Sequence, residues 1–140
     1  MFKRESILFS FFLLLAILPF QLSAQGDWFQ IGLDIDGEVA QDRSAIDMSA
    51  DGNYVVIGAE LNDDAAIDAG HARVYEFSGG VWTQIGSDID GELAYDWSGS
   101  GVSINNAGDR VAIGARRNDG GGSSSGHVRV YENSGEVWVL

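Results

Sequence analysis

Cysteine is absent from the 140 residues, Lys3 is the only lysine, and Pro19 is the only proline. A chain without cysteine forms no disulfide and offers neither a thiol nucleophile nor a thiolate metal ligand. The 8 basic residues are outnumbered by 21 acidic ones, which argues against nucleic acid and anionic membrane surfaces as partners, because both require basic patches. Helix signals are nearly absent after the N-terminal segment, and this favours the all-β class.

The segment 1–24 has the features of a secretory signal peptide. Lys3 and Arg4 supply its positive charge, residues 7–20 form an apolar run, and Ala24 offers a small residue for cleavage. The run is short for a membrane span of about 20 residues; an uncleaved N-terminal anchor is the alternative. We therefore expect a signal helix within residues 1–24, a secreted or cell-surface location, and no stable membrane span after cleavage.

Cleavage would leave residues 25–140 strongly acidic. Loss of Lys3, Arg4 and Glu5 leaves six of the 8 basic residues, all of them arginine, and 20 of the 21 acidic ones, for a net charge of −14. Such a charge favours solubility in a salty or calcium-bearing medium. Export without disulfides favours a bacterial exported protein over a eukaryotic ectodomain.

An internal repeat dominates the exported part. Trp28–Glu38 returns as Trp82–Glu92 with two substitutions, and two further blocks return in the same order, Val56–Ala59 as Ala112–Ala115 and Gly70–Glu76 as Gly126–Glu132. A period of about 55 residues indicates stacked units, each of which cannot bury its apolar faces alone. We place the two copies at residues 28–81 and 82–137, with the chain ending inside a strand.

Short runs of β-branched and aromatic residues predict four antiparallel strands in each copy. In the first copy they are Ala45–Ser49, Tyr54–Ala59, His71–Phe77 and Val81–Ile85; in the second they are Gly101–Asn105, Arg110–Ala115, His127–Glu132 and Val137–Leu140; Trp28–Ile31 is the fourth-strand equivalent ahead of the first copy. Four short strands in about 55 residues are typical of a β-propeller blade. The expected fold is thus about two tandem blades, a partial propeller.

The repeated frame resembles a known family. The frame begins with Trp-x-Gln-Ile-Gly-x-Asp-Ile-Asp-Gly-Glu and continues with Val-x-Ile-Gly-Ala and Gly-His-x-Arg-Val-Tyr-Glu. It is similar to the FG-GAP-like repeats of secreted bacterial proteins. Those repeats are related to the blades of the integrin-α propeller. The resemblance covers nearly all of residues 28–140 and implies a propeller. The Phe-Gly pair of the family is replaced by Ser44-Ala45 and Ser98-Gly99.

Acidic residues at alternate positions before a glycine suggest calcium, which prefers six to eight oxygen ligands. Our candidate ligands are Asp34, Asp36, Asp88 and Asp90, and Asp42 and Asp96 could add one more each. The pattern departs from a complete calcium loop, because Gly32 and Gly86 stand at its first position. The alternative is a plain Asp-Gly turn after a strand. No other cofactor is indicated.

The other repeated polar and aromatic residues predict structural roles. His71 and His127 are the only histidines, and we expect each to bond to a neighbouring loop or strand, because a zinc site would need further ligands nearby. Arg73 and Arg129 are expected to pair with carboxylates. The tryptophans Trp28, Trp82 and Trp138 are expected to pack between blades, with sugar stacking as the alternative.

No nucleophile–base pair, phosphate-binding glycine loop or zinc spacing is present, so we predict no enzyme. The leading hypothesis is an exported binding scaffold, part of a larger propeller, that presents the loops Leu61–Ala69 and Arg117–Ser125 to a protein or glycan. The alternatives are accessory blades of a larger secreted polysaccharide hydrolase, or a non-functional truncated product. Uncovered blade faces would allow self-association.

Overall fold

The computed structural model describes residues 27–135 and 137–140, and within them it contains nine β-strands and no helix. The strands are β1 (Ser44–Met48), β2 (Tyr54–Ala59), β3 (His71–Ser78), β4 (Val81–Gln84), β5 (Ile89–Asp90), β6 (Ser98–Ile104), β7 (Arg110–Ala115), β8 (His127–Asn133) and β9 (Trp138–Val139). The all-β class is confirmed. The signal peptide predicted over residues 1–24 lies outside the described residues, and the described part holds no helix able to cross a bilayer.

The strands form two antiparallel sheets that do not close into one. The first sheet has the order β1-β2-β3-β4, and β5 also pairs with β3, beyond the end of β4. The second sheet has the order β6-β7-β8-β9. Consecutive strands pair along both of these paths. Tight turns join β1 to β2 and β6 to β7, where Gly52 and Gly108 adopt φ values of 76° and 69°, a conformation that glycine takes without steric cost.

Eight of the nine predicted strands are present. The predicted bounds of β2 and β7 agree with the structure, and the others differ at their ends by a few residues. The prediction of a strand at Trp28–Ile31 is wrong. Its counterparts β4 and β9 form by pairing with β3 and β8, whereas Trp28–Ile31 pairs with none of the described strands. The Trp28 side chain is fully exposed.

The core lies between the two sheets. Its members from the first sheet include Val56 and Val74, and those from the second include Val111 and Ile113, all buried. Strand β6 lies against β1 and β2. The consecutive residues Val55 and Val56 point to opposite faces of β2 and are both buried. Burial of a valine side chain stabilises a fold by roughly 1.5–3 kcal/mol.

Glycine lets the two sheets approach each other closely. A Cβ atom on Gly58 of β2 would collide with the backbone of Gly99 in β6, and one on Gly99 would collide with the carbonyl oxygen of His71. The equivalent of Gly58 in the second sheet is Gly114, where a Cβ would meet only ordinary contacts, the nearest at 3.5 Å. The two copies therefore use the same glycine position under different packing.

Backbone strain recurs at equivalent positions of the two copies. The six non-glycine residues with positive φ in the described chain form three repeat-related pairs, Gln41 with Tyr95, Arg43 with Trp97, and Asp68 with Ser124. The φ values within a pair are similar, for instance 78° at Gln41 and 67° at Tyr95. The side chains within each pair differ, so the fold imposes these conformations.

Candidate functional site

The segment Asp88–Glu92, which we call the second acidic segment, joins the two sheets through ion pairs. Its first residue, Asp88, accepts a hydrogen bond from Arg73 of the first sheet over 2.5 Å. Its last residue, Glu92, pairs with Arg129 of the second sheet, also over 2.5 Å. Both arginines therefore meet carboxylates as predicted, and the segment acts as a charged connection between the sheets.

The first acidic segment, Asp34–Glu38, makes two contacts that correspond to contacts of the second acidic segment. Glu38 forms an ion pair with Arg73, as Glu92 does with Arg129. Asp34 accepts a hydrogen bond from Gln30 over 2.7 Å, as Asp88 does from Gln84 over 2.6 Å. Arg73 thus binds one carboxylate from each acidic segment.

Electrostatic coupling among these groups is strong. The hydrogen bond from Arg73 holds the pKa of Glu38 and the pKa of Asp88 below their usual values. In return, Asp88 and Glu38 raise the pKa of Arg73. The side chain of Arg73 is mostly buried and that of Asp88 is partly buried, so their charge interaction is stronger than it would be in water; Glu38 is more exposed. All three groups are therefore charged at neutral pH.

A buried asparagine supports each Glu residue of the acidic segments. Asn62 donates to Glu38 over 3.1 Å and to Asp42 over 3.3 Å, and its side-chain oxygen accepts from the backbone of Asp64 over 2.9 Å. Asp42, which we predicted as an additional calcium ligand, therefore holds the asparagine at the base of the loop Leu61–Ala69.

The second copy has the same arrangement. Asn118 donates to Asp96 over 2.8 Å and to Glu92 over 3.3 Å, and its side-chain oxygen accepts from Gly120 over 2.8 Å. The sequence analysis missed both asparagines, although the Asn-Asp pair that recurs as Asn62-Asp63 and Asn118-Asp119 was available as a signal.

His71 differs from its predicted role. It is 4 % exposed, and its Nδ1 atom has no hydrogen-bond partner among the described residues. This nitrogen faces Glu38, whose Oε2 atom is 3.9 Å away. Glu38, Asp64 and His71 each place one potential ligand atom within 4.8 Å of the others, and His71 forms a second such group with Asp88 and Asp90. We call Glu38, Asp64 and His71 the His71 cluster.

The structure separates the residues predicted to bind calcium. Asp88 and Asp90 lie together beside His71, whereas Asp34 and Asp36 belong to neither of the two groups of potential metal ligands found in the described residues. Asp88 also neutralises Arg73. Calcium binding by Asp34, Asp36, Asp88 and Asp90 stays a prediction.

The tryptophans connect the copies by a repeated contact. Trp138 is buried in the core and donates its indole N–H to the carbonyl oxygen of Ile85 over 3.1 Å. Trp82 donates to Ile31 over 3.2 Å and packs on Phe77. The prediction that these residues pack between units is wrong for Trp28, whose side chain is fully exposed.

Each sheet has one face that the other sheet covers and one face that is open in part, and each open face is the repeat equivalent of the covered face of the other sheet. The second sheet covers Val56, Ala72 and Val74 of the first, whose equivalents on the second sheet are Ala112, Val128 and Val130. Val128 and Val130 are 68 % and 58 % exposed. We call this open surface the β8 face.

The face of the first sheet that points away from the second sheet is the repeat equivalent of the covered face of the second sheet. The first sheet covers Val102, Ile104, Val111 and Ile113 of the second, whose equivalents are Ile46, Met48, Val55 and Ile57. Ile46 and Met48 are 66 % and 49 % exposed, whereas Val55 is 2 % exposed, so this surface is open at β1 and covered at Val55. We call this surface the β1 face. The β8 face and the β1 face are therefore copies of the two surfaces that already pack together inside the molecule.

The loops Leu61–Ala69 and Arg117–Ser125 are irregular, as predicted. Both are fixed at equivalent points, since Gly70 and Gly126 donate backbone hydrogen bonds of 3.0 Å to the carbonyl oxygens of Asn62 and Asn118. A search against protein-family models, curated proteins and solved structures finds no match.

Proposed function

We propose that this protein is an exported, non-enzymatic repeat scaffold whose blade-like sheets stack face to face and hold surface loops for a protein or glycan partner. The observation that carries the proposal is the pair of complementary open faces. One internal contact between the sheets already joins a surface of the β8 type to a surface of the β1 type. An open copy of each surface remains on the outside of the same molecule.

Exposed apolar faces of this kind favour association. Soluble monomers rarely expose large contiguous apolar patches, and repeat units gain stability from each neighbour that they bury. Such a contact between two molecules would be head to tail, because the two faces differ, and head-to-tail contacts form either rings or open stacks. The FG-GAP-like frame of the sequence favours the closed form, a propeller.

The polar contacts support a structural use of the repeated residues. Arg73 and Asn62 both bond to Glu38, and Arg129 and Asn118 both bond to Glu92 in the second copy. Groups that satisfy one another in both copies hold the scaffold together. The loops Leu61–Ala69 and Arg117–Ser125 are then the parts available to a partner, since loops on a rigid frame tolerate variation and commonly bind.

The test expresses the full chain for export and measures the mass of the processed protein by light scattering. We expect a mass larger than a monomer that rises with concentration. Val130→Asp places a charge on the β8 face and Ile46→Asp places one on the β1 face; each variant alone should be monomeric, because it retains one face with no complement.

Mixing the two variants gives the sharper result. Ile46→Asp retains the β8 face and Val130→Asp retains the β1 face, so the mixture should form a 1:1 dimer that does not extend. Leu93→Asp, at an exposed position outside both faces, is the control and should associate like the wild type. A monodisperse wild-type monomer at every concentration, or a mixture without dimers, would contradict the proposal.

A further inference from the structure

We propose that the His71 cluster is a site for a divalent transition-metal ion of the zinc class, held by Glu38, Asp64 and His71. This inference is independent of the stacking of sheets. It rests on a buried, unpartnered imidazole nitrogen that faces two carboxylates.

The imidazole is the first argument. Buried polar atoms are almost always hydrogen-bonded, and leaving one without a partner costs about 1–3 kcal/mol. The Nδ1 atom of His71 is buried without a partner among the described residues, and it faces Glu38 Oε2 at 3.9 Å. Two ligands of one zinc ion stand roughly 3.3 Å apart, as expected from tetrahedral bonds of about 2.0–2.2 Å. A small side-chain adjustment would bring both atoms to one ion.

The carboxylates supply the second argument. Asp64 and Glu38 each place a carboxylate oxygen within 4.8 Å of the other and of a ring nitrogen of His71. Two carboxylates so placed repel each other unless a proton or a cation lies between them. Arg73 pairs with Oε1 of Glu38. The Oε2 atom, which faces His71, accepts one hydrogen bond from Asn62 over 3.1 Å and keeps a second lone pair for an ion. A cavity of about 50 Å³ adjoins Glu38 and His71, which is enough for a water molecule as a further ligand.

The ligand set favours zinc-class ions over calcium. Calcium takes six to eight oxygen ligands, whereas imidazole nitrogen suits zinc, copper, iron and nickel. One histidine, two carboxylates and a water make a four-coordinate set of the kind that zinc accepts. The site therefore differs in both residues and metal from the calcium prediction for Asp34, Asp36, Asp88 and Asp90.

The second copy provides an internal control. Its equivalents of Glu38 and His71 are Glu92 and His127, but Gly120 stands where the first copy has Asp64. His127 is also only half-buried. The second copy thus lacks one of the three ligands, and we expect one metal ion per chain.

The experiment titrates zinc chloride into the exported, metal-stripped protein by calorimetry, and cobalt chloride with detection of visible absorption. The wild type should bind one ion, and excess calcium should not displace it. Asp64→Gly, which copies the residue of the second unit, should weaken binding at least about tenfold, and His71→Ala should abolish saturable binding. His127→Ala should bind like the wild type. Circular dichroism and thermal unfolding confirm that each variant is folded.

Asp64 is exposed, so Asp64→Gly tests the site even if His71→Ala fails to fold. Equal zinc affinity in the wild type and Asp64→Gly would overturn the proposal. Loss of binding in His127→Ala, or displacement of zinc by calcium, would also overturn it. If His71 had only a structural role, His71→Ala would lower the unfolding temperature and the wild type would show no saturable zinc binding.

Discussion

Trp138 donates its indole N–H to the carbonyl oxygen of Ile85 over 3.1 Å, and this contact ties the last described strand to the chain that follows β4. Trp82 and Ile31 form the same pair one copy earlier, over 3.2 Å. The repeated tryptophan therefore secures each copy to the one before it through both its ring and its N–H group.

Substitution of Trp138 should separate these two contributions. Trp138→Phe keeps an aromatic ring but removes the donor, and should lower the free energy of unfolding by about 1 kcal/mol. Trp138→Ala also creates a cavity and should cost about 3–5 kcal/mol. Urea unfolding measures both. Trp28→Ala, at the exposed equivalent position, should leave the midpoint unchanged, and a large effect there would contradict the assigned packing.

The carboxylate of Asp47 should make the contact between sheets sensitive to acid. Asp47 accepts hydrogen bonds from the backbone of Ile104 and the hydroxyl of Ser103, both over 3.0 Å, and these bonds hold the pKa of Asp47 below its usual value. An unfolded aspartate titrates near pH 4. The stabilisation is therefore complete above about pH 4 and is lost as the pH falls through the lower folded-state pKa of Asp47.

Unfolding of the wild type and Asp47→Asn at a series of pH values measures this effect. The difference in free energy of unfolding between them should be constant near neutrality and shrink below about pH 4. Ser103→Ala removes one of the two donors and should reduce the pH dependence. If the difference in free energy of unfolding between the wild type and Asp47→Asn did not change with pH, the charge of the carboxylate would contribute nothing to stability.

Gly58 and Gly114 offer a matched pair for testing the close approach of the sheets. Gly58→Ala would place a methyl group against the backbone of Gly99, where no side chain can move aside, and should destabilise the fold by about 1–3 kcal/mol. Gly114→Ala meets its nearest atom at 3.5 Å and should be nearly neutral. Thermal unfolding of the two variants under the same conditions compares them directly. Equal losses of stability would mean that the sheets lie farther apart at Gly58 than the structure shows.

The stability of the fold should depend on the side-chain amide of Asn62. Asn62→Asp removes the donor to Glu38 and Asp42 and adds a third carboxylate beside them, so we expect a loss of stability of about 1–3 kcal/mol near neutral pH. Protonation should relieve the repulsion, and the loss should diminish in acid. Asp63→Asn, at the exposed next position, is the control. Chemical unfolding at pH 7 and pH 4 tests this expectation.

The sequence predicted the sheets better than the site, for physical reasons. Strand β2 follows from local information, since Val55, Val56 and Ile57 form an apolar run between turn residues. Strand β5 was missed because Ile89 and Asp90 read as part of an Asp-Gly turn, and only the free edge of β3 makes them a strand.

The repeat pattern could not predict the His71 cluster. The repeat treats His71 and His127 as equivalent, but Asp64 has no acidic counterpart, and its approach to Glu38 depends on how Asn62 holds the loop. The pairing of Arg73 was predictable in kind, because a buried arginine needs a carboxylate. Its two partners come from different acidic segments, which only the three-dimensional arrangement determines.

The three pairs of left-handed residues have a consequence for the design of further units. Gln41 and Tyr95 share a backbone conformation but no side-chain chemistry, and the same holds for Arg43 and Trp97. A left-handed residue other than glycine costs roughly 1–2 kcal/mol, so both units carry a similar local penalty although different side chains stand at these positions. An engineer extending the array could place glycine at Gln41 and its equivalents and lower that penalty in every added unit.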